Sequence, residues 1–325
     1  MLDVNKIYCG DCLEVMKEID NNSVDLIIAD PPSNIKKDSW DKIDNYLDWI
    51  IKVFKECERV LKDNGSFYWF HNQMPVISKI MNRMENETEF VFKSMITWEK
   101  YQTNKQYYGR NVLMAINNRH KRNYCSMVEY CLFYTFQEEF QGHSGIFDDM
   151  RKELNQERIK AGFKTFKEVN AFLGVSTNGG GMASLYFSEG NLAWELPTEE
   201  MYLKLQETGY FKKPYEELRK EYEELRYTFN FVDVDITRTW LYVPAKKVGH
   251  LTPKPIPLIN NILLHSSNKD DLVLIPFVGS GNDCIACREL ERNFIGIDIS
   301  KKYCKIAEKR LVNIQKRLEY FTGGK

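Results

Sequence analysis

The stretch VDLIIADPPSN, residues 24–34, is a short, largely apolar run that ends at an aspartate followed by two prolines. Such a run, closed by a turn signal, is typical of a strand buried in a parallel sheet. Because proline has no backbone N–H to donate, the strand is expected to end near Asp30. The sequence therefore predicts a carboxylate at the carboxyl end of a parallel strand, which is the edge where ligands bind in such sheets.

Helical and strand patterns alternate on both sides of this stretch and again in the last third of the chain. Strands joined by helices indicate a parallel sheet covered on both faces. We therefore predict an α/β fold with a doubly wound, mostly parallel sheet. The predicted strands are 24–30, 65–71, 90–98, 127–136, 271–275 and 294–298, and the predicted helices include 47–61, 257–265, 283–291 and a long last helix.

The composition is that of an ordinary globular protein. Of the 325 residues, 43% are hydrophobic and 28% are charged, which excludes the disordered, collagenous and disulfide-scaffold classes. Between 138 and 231 the pattern is polar and helical, so we predict a mainly helical domain inserted into a sheet domain formed by 1–137 and 232–325. No leader pattern opens the sequence and no apolar run approaches the ~20 residues of a membrane span, so a cytoplasmic location is expected.

The charge distribution points to one local patch. The net charge is −1, so the chain as a whole does not attract a polyanion. Residues 93–124, however, hold seven basic side chains and one acidic one, interleaved with five aromatic rings. Such a run is either a solvated face or a surface that contacts nucleic acid. The eight cysteines lack the spacing of a zinc site and have no cluster of histidines near them, so no metal is expected.

A glycine turn, PFVGSG at 276–281, lies between a predicted strand and a predicted helix. Its glycines let the backbone approach a ligand, and the helix N-terminus follows directly. Asp298 ends the next predicted strand, where its carboxylate can accept hydrogen bonds from ribose hydroxyls. The pattern indicates a nucleoside cofactor and fits both a dinucleotide and S-adenosylmethionine. Separately, Asp30 and the carbonyl of Pro31 form a rigid pair of acceptors that suits an exocyclic amino group.

In their order, these motifs resemble the beta group of DNA amino-methyltransferases, which places the catalytic motif first and the cofactor turn last. The resemblance covers about 1–137 and 232–325. The matching motifs, in chain order, are Gly10-Asp11, Asp30-Pro31-Pro32, Arg122-Asn123-Tyr124, Glu129-Tyr130, then after the insertion His250-Leu251-Thr252-Pro253-Lys254-Pro255, Phe277-Val278-Gly279-Ser280-Gly281 and Gly296-Ile297-Asp298.

The resemblance implies a role for each matching position, with S-adenosylmethionine as the cofactor. Asp30 and Pro31 would receive the target amine, within a catalytic loop that also holds Pro32 and Ser33. Asp11 would bind the cofactor adenine, Asp298 the ribose and Lys254 the carboxylate. Phe277, Gly279 and Gly281 would line the methionine moiety, and Ser280, in the same turn, would also be a cofactor-binding residue.

This sequence departs from the family pattern at two positions. Ile275 stands where the family usually has an aspartate, so one polar contact is missing. Ser33 stands where the family has an aromatic residue that stacks on the flipped base, and serine cannot stack. Trp40 or Phe70 are the rings that could substitute.

Double-stranded DNA is the partner that the resemblance implies, read by the inserted domain as a target-recognition domain. Segments 165–174 and 178–187 resemble a helix-turn-helix, with Ser176 and Asn178 as candidate base contacts. In the basic run, the candidate DNA contacts are Arg119, Lys121 and Arg122. A cognate restriction endonuclease and a homodimer are further candidate partners.

The implied reaction is transfer of a methyl group to adenine N6, since aspartate before the two prolines is the form usual for adenine and serine is commoner for cytosine N4. No Pro-Cys dipeptide occurs, which argues against cytosine C5 methylation through a cysteine nucleophile. Cytosine N4 methylation remains an alternative. So do a DNA-binding protein with the same fold but weakened catalysis, and an RNA amino-methyltransferase.

Overall fold

The computed structural model describes residues 2–34, 42–100, 128–137, 147–177, 181–188, 194–231, 234–245 and 253–322. By its internal contacts the chain divides into two compact units: Met1–Phe136 with Thr228–Lys325, and Gln137–Tyr227. The sequence predicts the insertion at 138–231. Within the described ranges, no helix is long and apolar enough to cross a membrane.

One sheet organises the first unit. Its strands are β1 (Lys6–Cys9), β2 (Val24–Ala29), β3 (Leu61–His71), β4 (Val91–Glu99), β5 (Val128–Thr135), β6 (Thr239–Trp240), β7 (Leu272–Ile275) and β8 (Asn293–Asp298). Their spatial order is β1-β8-β7-β2-β3-β5-β4-β6. The pairs from β1 to β3 are parallel, whereas β5 is antiparallel to both β3 and β4. The predicted α/β fold with a mostly parallel sheet is confirmed.

Helices join these strands and pack on the sheet. In the first unit they are α1 (Cys12–Met16), α2 (Tyr46–Val60), α3 (Met74–Glu87), α9 (Ile256–Ser266), α10 (Asn282–Glu289) and α11 (Lys301–Thr322). Helix α2 buries Ile50, Phe54 and Cys57 at helical spacing. The Phe54 ring lies 5.0 Å from Phe67 and 5.4 Å from Trp69, both on β3, so this helix is fixed on the sheet by aromatic contacts.

The second unit is helical in its described part. It contains α4 (Asp148–Lys160), α5 (Phe166–Leu173), α6 (Gly181–Phe187), α7 (Glu199–Gln206) and α8 (Tyr215–Leu225). Thr165 and Glu168 form a capping box at the start of α5, and Gly174 ends that helix in the left-handed conformation. The buried Oδ1 of Asn170 accepts a hydrogen bond from the backbone N–H of Ala183 at 2.9 Å, which joins α5 to α6.

Three features differ from the sequence expectation. Residues 62–64, which separate the predicted helix 47–61 from the predicted strand 65–71, lie inside β3. The β2–β3 register shifts there, between Val24 and Leu26, so the strand contains the extra residues as an irregularity. Strands β1 and β6 were not predicted. Both are short and lie at the ends of the spatial order, so neither carries the apolar run that marks a buried strand.

The glycine turn shows why one glycine is required. Gly281 has φ +82°, and a Cβ there would lie 2.7 Å from the Cβ of Ala307 on α11. A side chain at this position would therefore push α10 and α11 apart.

We predict that Gly281→Ala lowers the free energy of unfolding more than Gly209→Ala does. Gly209 has a similar φ of +79° with no atom within 4 Å of a built Cβ, so its substitution costs only the backbone strain of roughly 1–2 kcal/mol. The contact with Ala307 should add roughly 1–3 kcal/mol at Gly281. Urea titration of both variants measures the difference, and equal losses would contradict this account of the turn.

Candidate active site

The carboxyl ends of the parallel strands meet at one edge of the sheet. Strands β1, β2, β7 and β8 end at this edge, and the antiparallel β5 begins there. The loops at the edge line a cavity of about 400 Å³. It takes in almost all the cofactor and catalytic residues predicted from the sequence: Asp11, Asp30, Pro31, Pro32, Ser33, Lys254, Phe277, Gly279, Ser280 and Asp298. Gly281 does not line it.

The loop after β2 is held at both sides. The side chain of Asn34 donates to the backbone carbonyl of Ile43 at 3.1 Å and accepts from the backbone N–H of Ile43 at 3.0 Å. Gln73 donates from Nε2 to the carbonyl of Ser33 at 3.4 Å. These contacts fix the residues that follow Asp30 against the start of α2 and the end of β3.

A buried ammonium group lies beside the Asp30 carboxylate. The Nζ of Lys254 is 2.5 Å from Oδ2 of Asp30 and 2.9 Å from Oε1 of Glu129, and only 4% of the lysine side chain is exposed. The second oxygen of Glu129 pairs with Lys100 at 2.5 Å. Two acids and two bases thus form a chain of alternating charge along the cavity wall.

These contacts keep Lys254 and Glu129 charged. Burial alone would raise the pKa of Glu129, but the ammonium groups of Lys254 and Lys100 lower that pKa to about 2. Burial would likewise lower the pKa of Lys254, but the carboxylates of Asp30 and Glu129 raise it above its usual range. Lys254 is therefore a fixed cation at neutral pH. The sequence predicts it as a ligand of the cofactor carboxylate, and the structure adds that it already bridges two acids.

The glycine turn and Asp298 are joined by backbone hydrogen bonds. The N–H of Gly279 donates to one carboxylate oxygen of Asp298 at 2.8 Å, and the N–H of Ser300 donates to the other at 2.8 Å. Burial raises the pKa of Asp298, and these two donors oppose that rise. The carboxylate is therefore oriented at the end of β8, within the cavity. Asp11 caps α1 nearby by accepting from the N–H of Leu13 at 2.9 Å.

Sequence reasoning missed several residues of the cavity wall. Trp49 packs on Phe277 with ring centroids 5.9 Å apart, yet it lies on the less buried side of α2, where nothing in the pattern marks it. Asn72 and Lys100 follow the ends of β3 and β4. Asp283, in the first turn of α10, could have been found as an acid directly after the glycine turn.

Most of the predicted DNA contacts lie outside the described residues. Arg119, Lys121, Arg122, Asn178 and the ring of Trp40 lie outside the described residues. Ser176 is described and is exposed between α5 and α6. Phe70, the other ring suggested as a substitute for the missing aromatic, is fully buried, and its centroid lies 4.9 Å from the Lys254 ammonium. Phe70 therefore belongs to the core below the site. No three metal-binding side chains come together in the described part of the chain.

A family model described as DNA methylase, N6_N4_Mtase, matches residues 24–309. The chain belongs to this family. The family predicted from the sequence is confirmed. The activity is DNA methylation with S-adenosylmethionine as the methyl donor.

Curated relatives and solved structures extend the comparison. The methylase is 28% identical to the Type II methyltransferase M.HpaI of Haemophilus parainfluenzae, over 94% of this chain and 74% of the relative. It is 29% identical to the DNA adenine methyltransferase YhdJ of Escherichia coli, over 95% and 83%. The M1.HpyAVI–SAM complex has the same fold, with a TM-score of 0.51 at 22% identity, over 94% of this chain and 98% of that one.

The residues of the cavity suit this cofactor. S-adenosylmethionine brings a reactive methyl group on a sulfonium, a ribose, an adenine and a zwitterionic methionine end. The cavity offers an oriented carboxylate at Asp298, an aromatic face at Phe277 and a buried carboxylate oxygen of Asp283 without a hydrogen-bond partner in the described structure. Acceptors and charges of the required kinds are therefore present in one place.

We predict that Lys254→Met lowers the free energy of unfolding by roughly 3–5 kcal/mol at pH 7. The substitution keeps most of the length of the side chain but leaves the buried Glu129 carboxylate and the partly buried Asp30 carboxylate without their cation. Urea titration gives the value. Lys17→Met is the control, because Lys17 pairs with Glu14 on the surface with both side chains more than half exposed, and should leave the stability almost unchanged.

The difference in free energy of unfolding between the wild type and Lys254→Met should become smaller at acidic pH. The native pKa of Glu129 is about 2 and its value in the unfolded chain is near 4.3, so its ion pairs stabilise the wild type above the unfolded value. That stabilisation is lost as the pH falls through the native pKa. If Lys254→Met lowers the free energy of unfolding at pH 7 no more than Lys17→Met does, the ion pairs of Lys254 do not hold the site together.

Proposed function

We propose that this methylase transfers the methyl group of S-adenosylmethionine to N6 of an adenine in double-stranded DNA, at a target amine held by Asp30 and the carbonyl of Pro31. The observation that carries the proposal is the position of the Asp30 carboxylate. It lies at the end of β2, in the same cavity as the Asp298 carboxylate, and is paired with the buried Lys254.

Asp30 and Pro31 orient the amine. A base inside a duplex cannot reach this cavity, so the adenine has to leave the stack, at a cost of a few kcal/mol. Asp30 accepts one N–H of the amine and the Pro31 carbonyl accepts the other, which directs the nitrogen lone pair toward the methyl group. S-adenosylmethionine supplies the electrophilic methyl when bound. No covalent enzyme intermediate is needed.

Lys254 supports this geometry and does not take part as a base. Its ammonium binds Oδ2 of Asp30 and remains protonated at neutral pH, so the carboxylate is oriented by a fixed positive charge. A carboxylate held in this way is a strong hydrogen-bond acceptor for the amine, and it can accept the proton that the methylated nitrogen releases.

Two features support adenine N6 over cytosine N4. The loop has aspartate before its two prolines, and the similar YhdJ protein is named as a DNA adenine methyltransferase. The unit Gln137–Tyr227 is the proposed target-recognition domain, with Ser176 between α5 and α6 as a candidate contact with a base. Contacts of Asn178, Arg119, Lys121 and Arg122 with DNA, a cognate restriction endonuclease and a homodimer stay predictions.

Asp30→Asn should lower the single-turnover methylation rate by a factor on the order of 10² or more, since the amide cannot accept the proton and its NH₂ repels the target amine. The affinity for S-adenosylmethionine should change far less. Rates come from quenched reactions on a duplex that carries methylatable sites, analysed by mass spectrometry of the digested nucleosides. Asp3→Asn, at an exposed surface carboxylate, should keep the wild-type rate.

The modified nucleoside decides the base assignment in the same experiment. N6-methyladenine is the expected product. If N4-methylcytosine is found, the adenine assignment is wrong, and if Asp30→Asn keeps the wild-type rate, the proposed role of Asp30 is wrong.

Ser33→Tyr should stabilise the extruded base. Stacking on an aromatic ring is worth roughly 1–3 kcal/mol, and Ser33 lines the cavity without offering a ring. We expect about a tenfold rise in the single-turnover rate. Ser33→Ala is the matched control, since it removes the hydroxyl and adds no ring. Equal behaviour of the two variants would show that no ring from this loop holds the base.

A further inference from the structure

Asp283 is a buried carboxylate that the catalytic scheme above does not use. It lies in the first turn of α10, is 7% exposed, and lines the same cavity as Phe277 and Lys254. Its Oδ1 is buried and has no hydrogen-bond partner within the described residues. A buried carboxylate oxygen without a partner is costly, so its position at a ligand cavity points to a partner that the ligand brings.

The charged neighbours of Asp283 do not satisfy it. Asp30, from the end of β2, repels its negative charge, while Lys254 attracts it. Lys254 is nevertheless not a hydrogen-bond partner of Oδ1 in the described structure, where its ammonium pairs with Asp30 and Glu129. On its own helix, the buried thiols of Cys284 and Cys287 are neutral, because burial raises the pKa of both well above the usual value.

Asp283 shares its cavity with Lys254, a cation that suits the carboxylate of a zwitterionic ligand. The neighbouring Asn282 donates from Nδ2 to the backbone carbonyl of Lys254 at 2.5 Å, so the start of α10 is bonded to the segment that carries the lysine. An amino acid has its ammonium and carboxylate on one carbon atom. A site for it therefore needs an anion and a cation in one cavity, and Asp283 and Lys254 line the same cavity and attract each other electrostatically.

We propose that Asp283 binds the α-ammonium group of the methionine moiety of S-adenosylmethionine. The inference rests on the proposed placement of the cofactor in this cavity, with its methionine end near Phe277. An ammonium carries three N–H donors and can complete the missing hydrogen bond of Oδ1, whereas the sulfonium has no donor. Asp283 is thereby a cofactor-binding residue that recognises the amino-acid end of the ligand.

Binding should be coupled to the ionisation of Asp283. Burial, and then the nearby Asp30, raise the pKa of Asp283 to about 7 in the free protein. The ammonium favours the charged form, so the pKa falls on binding and a proton is released near neutral pH. Affinity should therefore rise as the pH increases from 6 to about 7.5. It should fall again above about 8, where an α-amino group loses its own proton.

Calorimetric titration of the whole chain with S-adenosylmethionine tests the proposal, at pH 6.5 in two buffers of different ionisation enthalpy. The wild type should release a substantial fraction of a proton per cofactor bound, and Asp283→Asn should release almost none. At pH 7.5 the variant should bind roughly ten to a hundred times more weakly, the range expected for a charge-assisted hydrogen bond. Asp271→Asn is the matched control: burial also raises the pKa of Asp271, but this acid does not line the cavity.

A second ligand distinguishes a contact of Asp283 with the ammonium from a contact with the sulfonium. S-adenosylhomocysteine keeps the ammonium and lacks the sulfonium charge, so Asp283→Asn should weaken both ligands by a similar factor. A loss confined to S-adenosylmethionine would overturn the proposal in favour of a contact with the sulfonium. Wild-type affinity and proton release in Asp283→Asn would also overturn it.

The stability of the variant shows whether Asp283 has a structural role. The native pKa of Asp283 lies above its unfolded value, so ionisation destabilises the free protein increasingly as the pH rises from about 4 to about 7. Asp283→Asn should therefore be at least as stable as the wild type at pH 8, and a clear loss of stability there would instead indicate a structural role. If the wild type itself fails to bind S-adenosylmethionine, the placement of the cofactor is wrong, which is a different result from failure of Asp283 alone.

Discussion

The ion pairs of one buried ammonium group, that of Lys254, hold the site together. They join the end of β2 to the start of β5 through Asp30 and Glu129, and the lysine itself comes from a third segment far along the chain. Breaking a buried pair costs several kcal/mol, so these three segments have to stay in register. The same contact orients the proposed catalytic carboxylate. Stability and chemistry therefore depend on the same atoms.

The sheet makes this contact available to a chain whose motifs are far apart. Because β7 lies between β2 and β8, the loop after β2 is next to the glycine turn, although about 240 residues separate them. The antiparallel β5 starts at the same edge and brings Glu129 there. Cofactor groups and substrate groups thus line one cavity, which is the requirement for direct transfer between two bound molecules.

The sequence predicted those parts of the site that depend on strand ends. Asp30 and Asp298 each follow an apolar run, and period and length are enough to place such residues at the carboxyl edge. The double pairing of Lys254 could not be predicted, because it depends on three segments that meet only in the fold. Strand β1 was missed because an edge strand of four residues carries little periodicity. The proposed role of Asp283 needed the structure, since its burial, and an Oδ1 without a partner among the described residues, cannot be seen in a sequence.

The most direct test of the account is a crystal structure of the methylase with S-adenosylhomocysteine bound. We expect the ribose hydroxyls within hydrogen-bond distance of Asp298, the sulfur facing the loop that follows Asp30, and Lys254 still in contact with Asp30. A cofactor bound outside this cavity, or with its ribose away from Asp298, would contradict the account.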